Sequence, residues 1–179
     1  MSKGRNLPII YYGNPLLRKR CEPVEKITDE IRQLVEDMIV TFDLNNGIGI
    51  SACQVGIPIR LFVLRNYIEQ PDGELTVSEP VVYINPKITI LTDETSFEQE
   101  GCLSLPDLRA QVERPLKIHI EAMNLVGEFF EEEIEGYNAR VRMHENDHLN
   151  GVLFIDRLDA HTRSRLEPFL KEIKKRFKS

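Results

Sequence analysis

Five consecutive residues, His144-Glu145-Asn146-Asp147-His148, constrain what this chain can fold into more than any other feature. Positions i and i+4 share one face of an α-helix, so two imidazoles at this spacing reach one ion only if the segment is helical. Glu145 then stands beside the first histidine, where a carboxylate can hold a water and take its proton. A catalytic metal site needs three protein ligands and an open position. The fold must therefore bring a third donor from another element to this helix face. Two surface histidines on an ordinary helix are the alternative, and the motif alone does not remove it.

The third donor has few candidates. His119 falls between Lys117 and Glu121 on the polar face of a strand, and His161 stands in a polar segment before the last helix. Both read as surface residues. The three cysteines, Cys21, Cys53 and Cys102, are odd in number and far apart, which is not the pattern of a disulfide framework. Cys102 is the best placed, in Glu100-Gly101-Cys102-Leu103-Ser104-Leu105-Pro106, where Gly101 permits close backbone approach and Pro106 fixes a bend. Filling the core is the usual alternative for a free cysteine. A further segment, Gly47-Ile48-Gly49-Ile50-Ser51-Ala52-Cys53-Gln54, has two glycines where something approaches the backbone, and Gln54 offers a donor. It lacks the third glycine and following helix of a dinucleotide fingerprint. Taken alone it reads as a tight turn before an edge strand.

The surroundings predict one α+β domain over residues 1–179, with no repeat or linker. A helix is expected after Thr28, a good N-cap, with Ile27, Ile31, Leu34, Val35, Met38 and Phe42 at helical spacing and Asn45-Asn46-Gly47 as its stop. Strands are expected at 59–64, 81–84 and 87–91, and at 116–123, where Leu116, Ile118, Ile120 and Ala122 alternate. The last of these forms a hairpin with 129–134. Helices are expected over 137–149, stopped by Asn150-Gly151, and over 165–178. The architecture is thus antiparallel or mixed sheets around a metal-binding helix, with a helix towards each end. No apolar run approaches the roughly 20 residues of a membrane span, and the opening residues do not read as a signal peptide, so a cytoplasmic location is expected. A formal net charge of -6 argues against nucleic-acid binding as the main role.

The three motifs together, G-I-G-I-S-A-C-Q, E-G-C-L-S-L-P and H-E-N-D-H, resemble the peptide deformylase family in order, spacing and residue type. Gly13-Asn14-Pro15-Leu16-Leu17-Arg18 is similar to its N-terminal signature, and the likeness runs over nearly the whole chain. The resemblance implies a hydrolase that removes the N-terminal formyl group from formyl-methionyl nascent polypeptides. It implies Cys102, His144 and His148 as metal ligands and Glu145 as catalytic acid and base. It further implies Gln54 and the Leu103 N–H as oxyanion donors, and Ile48, Gly49, Glu100, Gly101, Tyr137 and Val141 as the lining of the substrate pocket. The implied metal is Fe²⁺, replaceable by zinc, nickel or cobalt, and Cys102 would make the site soft and oxidisable. Asp147 is expected to pair with Arg114, as a similar pair occurs in the family.

Four positions depart from the family pattern. Ser51 replaces the usual alanine, Cys53 a proline or threonine, Met143 a frequent glutamine, and Glu98 an apolar residue of the pocket rim. None is expected to touch a ligand or Glu145. Cys53 is expected to be a bystander, aimed away from Gln54 by an extended chain. The rival readings are a zinc endopeptidase, which shares the helical motif but would need a downstream third ligand, and a non-catalytic protein with a structural ion.

The C-terminal stretch adds one partner. Leu166, Phe169, Leu170, Ile173 and Phe177 make an apolar stripe, with Lys171, Lys174, Lys175 and Lys178 opposite. Ser164-Arg165-Leu166-Glu167 looks like a capping box, and Pro168 falls in the first turn that follows. The basic side is either plainly solvated or makes weak, salt-dependent contact with the ribosome.

Overall fold

The computed structural model describes residues 3–178. The chain runs through α1 (Asp29–Leu44), β1 (Gly49–Ser51), β2 (Leu61–Leu64), β3 (Tyr67–Glu69), β4 (Leu75–Val77) and β5 (Val81–Ile90). It continues through β6 (Thr95–Cys102), β7 (Leu105–Pro115), β8 (Lys117–Met123), β9 (Phe129–Glu135), α2 (Gly136–Leu149) and α3 (Ala160–Arg176). Five strands form one antiparallel sheet in the order β1-β2-β5-β8-β9, while β3-β4 and β6-β7 are separate hairpins.

The sheet explains two sequence patterns at once. All of Leu61–Leu64 is buried because β2 is covered on both faces. Leu61 and Val63 pack with Val35, Met38 and Phe42 of α1. Phe62 and Leu64 pack on the other face with Val141 and Leu149 of α2. Towards the far edge only one face is covered, so Ile118, Ile120 and Ala122 are buried while alternate residues are less so. As expected, Thr28 caps α1, its hydroxyl accepting from the Ile31 N–H. The segments 81–84 and 87–91 are one strand interrupted by a register shift, at which Asn85 takes φ 52°.

The largest difference from expectation is the long β6–β7 hairpin, a stretch in which no strand is expected from the sequence. β7 joins a second core with Leu153, Phe154 and Ile155 and with Leu170 and Ile173 of α3. The last helix starts at Ala160, earlier than Arg165, because Asp159 supplies the cap through Thr162, and the Ser164 capping box is not used. Pro168 therefore sits inside the helix on its exposed side, where water can serve the freed carbonyl. Phe169 leaves the expected stripe: it is 60% exposed, and Leu166, Leu170, Ile173 and Phe177 make the docked face.

Candidate metal centre

α2 is buried on most of its circumference, so its polar residues must find partners inside the protein. Arg142 bonds Tyr83, Asn66 and Glu132. Arg140 bonds Glu100, Ser96 and the Val112 carbonyl. Asp147 takes Arg114 at 2.7 Å, the pair expected from the sequence, and also Arg157 through two bonds of 2.6 Å. The helix stops at Asn150, and Gly151 follows at φ 72°. A Cβ there would stand 2.5 Å from the Arg18 carbonyl oxygen, so only glycine fits.

The exit of β6 brings Cys102 to this helix. Donor atoms of Cys102, His144 and His148 all lie within 4.8 Å of one another, and Cys102 Sγ is 3.3 Å from His148 Nε2. His144 Nδ1 donates to Glu100 Oε2 at 2.8 Å, which leaves Nε2 free to meet an ion. Bond lengths of about 2.3 Å to sulfur and 2.0–2.1 Å to nitrogen place tetrahedral S and N donors about 3.5 Å apart, so this donor set fits a single ion. Burial disfavours charge on either imidazole. Bonds to Cys102 and Glu100 nevertheless hold the His144 pKa well above its ordinary value. Burial, together with the His144 and Arg114 charges, holds His148 well below. Both rings must be neutral to ligate, so loading an ion displaces protons.

Glu145 projects beside these donors. Its Oε2 accepts from Ser51 Oγ at 2.7 Å, and burial raises its pKa against the opposing effects of His144 and that hydroxyl. Gln54 accepts the Ser51 N–H on Oε1 at 2.9 Å and turns Nε2 towards Cys102 Sγ at 3.4 Å and Ser104 Oγ at 3.1 Å. Leu103 occupies the tip of the β6–β7 hairpin, next to Cys102. A cavity of about 450 Å³ opens onto this group. Ile48, Gly49, Gln54, Glu100, Gly101, Cys102, Leu103, Tyr137, Val141, His144 and Glu145 all contribute to its wall, and Tyr67, Arg109 and Arg140 join them without having been anticipated. Glu100 contributes little side chain, because both its oxygens are engaged by Arg114, Arg140 and His144.

Two expectations need correction. Ser51 does touch Glu145, because β1 runs directly against α2. Cys53 touches a residue of the candidate donor set, its Sγ lying 3.6 Å from the His148 carbonyl oxygen. It stands in a 3-10 turn spanning Ala52–Val55 and not in extended chain, and a hydrogen bond with Cys21 together with burial pushes its thiol pKa up. Glu98 is exposed and absent from the cavity wall, and Met143 is buried against Ile118 and Ala139. His119 is mostly covered and lies 3.5 Å from Glu131, while His161 is exposed.

The profile of the polypeptide deformylase family matches residues 6–164. The chain belongs to this family. It is 45% identical over 167 residues to the peptide deformylase of Acinetobacter baumannii, covering 93% of this chain and 91% of that one. The crystal structure of the deformylase from Thermotoga maritima is 42% identical with a TM-score of 0.78, covering 87% of this chain and 99% of its own. A Met-Ala-Ser-bound deformylase structure from Acinetobacter baumannii, 36% identical over 86% of this chain and 98% of its own, also has a TM-score of 0.78. Deformylases of this family are metal-dependent hydrolases, and the α+β architecture of antiparallel sheets and three helices is theirs. No helix among the described residues is long and apolar enough to cross a membrane.

Proposed function

We propose that this chain removes the formyl group from formyl-methionyl nascent polypeptides, with Cys102, His144 and His148 holding one divalent ion and Glu145 moving the proton. The observation that carries the reading is the convergence of donor atoms from Cys102, His144 and His148 beside a cavity that Cys102, His144, Glu145, Gln54 and Leu103 line. An ion held by the thiolate and two imidazoles supplies Lewis acidity, polarising a carbonyl and lowering the pKa of water from 15.7 towards about 7. Glu145, buried and held against ready ionisation, takes the proton from the attacking water and returns it to the amine as the C–N bond breaks. Formate and a free N-terminus result. The Gln54 amide, its orientation set by the Ser51 N–H, and the Leu103 N–H serve as donors to the developing oxyanion, each worth about 10² to 10³ in rate.

The cavity wall formed by Ile48, Gly49, Gly101, Tyr137 and Val141 receives the methionyl residue and the adjoining backbone. The Met-Ala-Ser peptide held by the Acinetobacter baumannii relative has the chemistry of a deformylated N-terminus, which supports this substrate class. Fe²⁺ is the proposed native ion, with zinc, nickel or cobalt as substitutes, since a thiolate with two imidazoles suits all of them. A cytoplasmic location is proposed with this substrate class. Lys171, Lys174, Lys175 and Lys178 are all exposed, which leaves open to the ribosome the basic side proposed to contact it weakly. The test is metal analysis of anaerobically purified protein alongside formate release from a formyl-Met peptide. Glu145→Ala is expected to keep its metal and lose about 10² to 10⁴ in turnover. Retained turnover would defeat the proposed mechanism, and cleavage of internal bonds in unformylated peptides would favour an endopeptidase.

A further inference from the structure

The last residue of β1 makes a contact that the deformylase chemistry does not require and the family's usual alanine could not make. Ser51 is fully buried and lies between the proposed proton carrier and the proposed oxyanion donor. Its N–H donates to Gln54 Oε1 at 2.9 Å. Its hydroxyl has two acceptors in reach, Glu145 Oε2 at 2.7 Å and the Glu145 carbonyl oxygen at 2.9 Å. One hydroxyl has one proton to give, and the ionised carboxylate is the stronger acceptor. The other carboxylate oxygen, Oε1, lies on the side of Gly49, where a Cβ would stand only 3.2 Å from it. Gly49 and Glu145 both line the cavity.

We infer that Ser51 is a positioning residue for Glu145: its hydroxyl occupies Oε2 and so commits Oε1, on the Gly49 side, to the proton transfer. A carboxylate torsion is broad and roughly two-fold, so an unanchored group would divide its time between orientations. The burial of both partners makes the anchor effective, because a hydrogen bond is stronger in a low-dielectric surrounding than in water. Ser51 thereby aligns two groups from one position, the amide through its backbone and the carboxylate through its side chain. Substitution by alanine removes only the second of these.

This inference rests on Glu145 being the proton carrier, and the experiment separates the two. Turnover of formyl-Met-Ala-Ser, KM and metal content are measured for Ser51→Ala, Glu145→Asp and the double variant. Ser51→Ala is expected to lower kcat about threefold to tenfold, the usual weight of one hydrogen bond, with KM and metal content unchanged. In the Glu145→Asp background, where the shorter carboxylate no longer reaches the hydroxyl, adding Ser51→Ala should change kcat by less than about twofold. An unchanged kcat in Ser51→Ala, equal losses in both backgrounds, or a loss that tracks metal content would overturn the inference. Wild-type kcat in Glu145→Asp would instead overturn the proton-carrier assignment itself. Should Ser51→Ala fold poorly, Ser51→Cys keeps the volume with a much weaker donor and carries the same expectations.

Discussion

The two histidines of α2 are four residues apart and face the same thiol, yet their surroundings differ sharply. His144 hands its outer nitrogen to Glu100, which is itself held by Arg114 and Arg140. His148 Nδ1 is buried with no hydrogen-bond partner among the described residues. One ring is oriented by a charged network, the other by packing and by the Cys102 thiol at its Nε2. The comparison teaches that a proposed ligand pair written as one motif need not be supported as one. A hydrogen-bonded carboxylate fixes a ring's tautomer and raises its basicity, and its loss typically costs about 10- to 100-fold in metal affinity or activity.

The strongest way to break the contrast is Glu100→Gln. It takes the counter-charge from buried Arg140 and leaves buried Arg114 with Asp147 alone, so a stability loss of about 3–5 kcal/mol is expected by denaturant unfolding. Metal affinity, measured by chelator competition, should fall by about 10- to 100-fold. An effect confined to stability would show that Glu100 does not tune His144.

The same carboxylate sets an acid limit. Burial opposes its charge, but Arg114 and His144 hold the Glu100 pKa well below the ordinary glutamate value. A depressed folded pKa contributes stability that is full above the unfolded value of about 4.3 and is lost as pH falls below it. Unfolding followed against pH should therefore steepen below about pH 4.3 in the parent protein and less so in Glu100→Gln.

Asp147→Asn disturbs Arg114 from the other end without touching His144. A loss of about 1.5–3 kcal/mol is expected, with metal stoichiometry by elemental analysis unchanged, because Arg157 is partly solvated and Glu100 still neutralises Arg114. The smallest effect belongs to the His148 side. Cys53→Ala removes a buried thiol with weak contacts to the His148 carbonyl and to Cys21, and should cost about 1 kcal/mol with the metal retained. An emptied site in this variant would mean that the ligand assignment is wrong.

Much of this was legible before any coordinates. Thr28 and Asn150 mark helix ends by side-chain and backbone rules that act locally, and β2 and β8 show their burial as apolar run and alternation. β7 carries a readable signal, since Leu108, Ala110 and Val112 alternate with polar residues. β6 had none. Its most buried side chain is Glu100, whose partners come from β7 and α2, and no local pattern announces a charge that is paired at long range. The same holds for Arg140 in the cavity wall and for Ser51 against Glu145. Spacing along one helix is visible in sequence, while contact between elements follows only from the completed fold.

The hairpin that presents Cys102 also dictates when the site can exist. Gln54, Cys102 and the two histidines come from three separate stretches, and the last of them is encoded after about four-fifths of the chain. A chain still being synthesised can pair β6 with β7 by local contacts, but it has only a lone thiol to offer an ion until α2 has emerged and docked. Capture of an ion by the proposed ligands would then be a late event, and an ion in place would certify that this half of the molecule has closed.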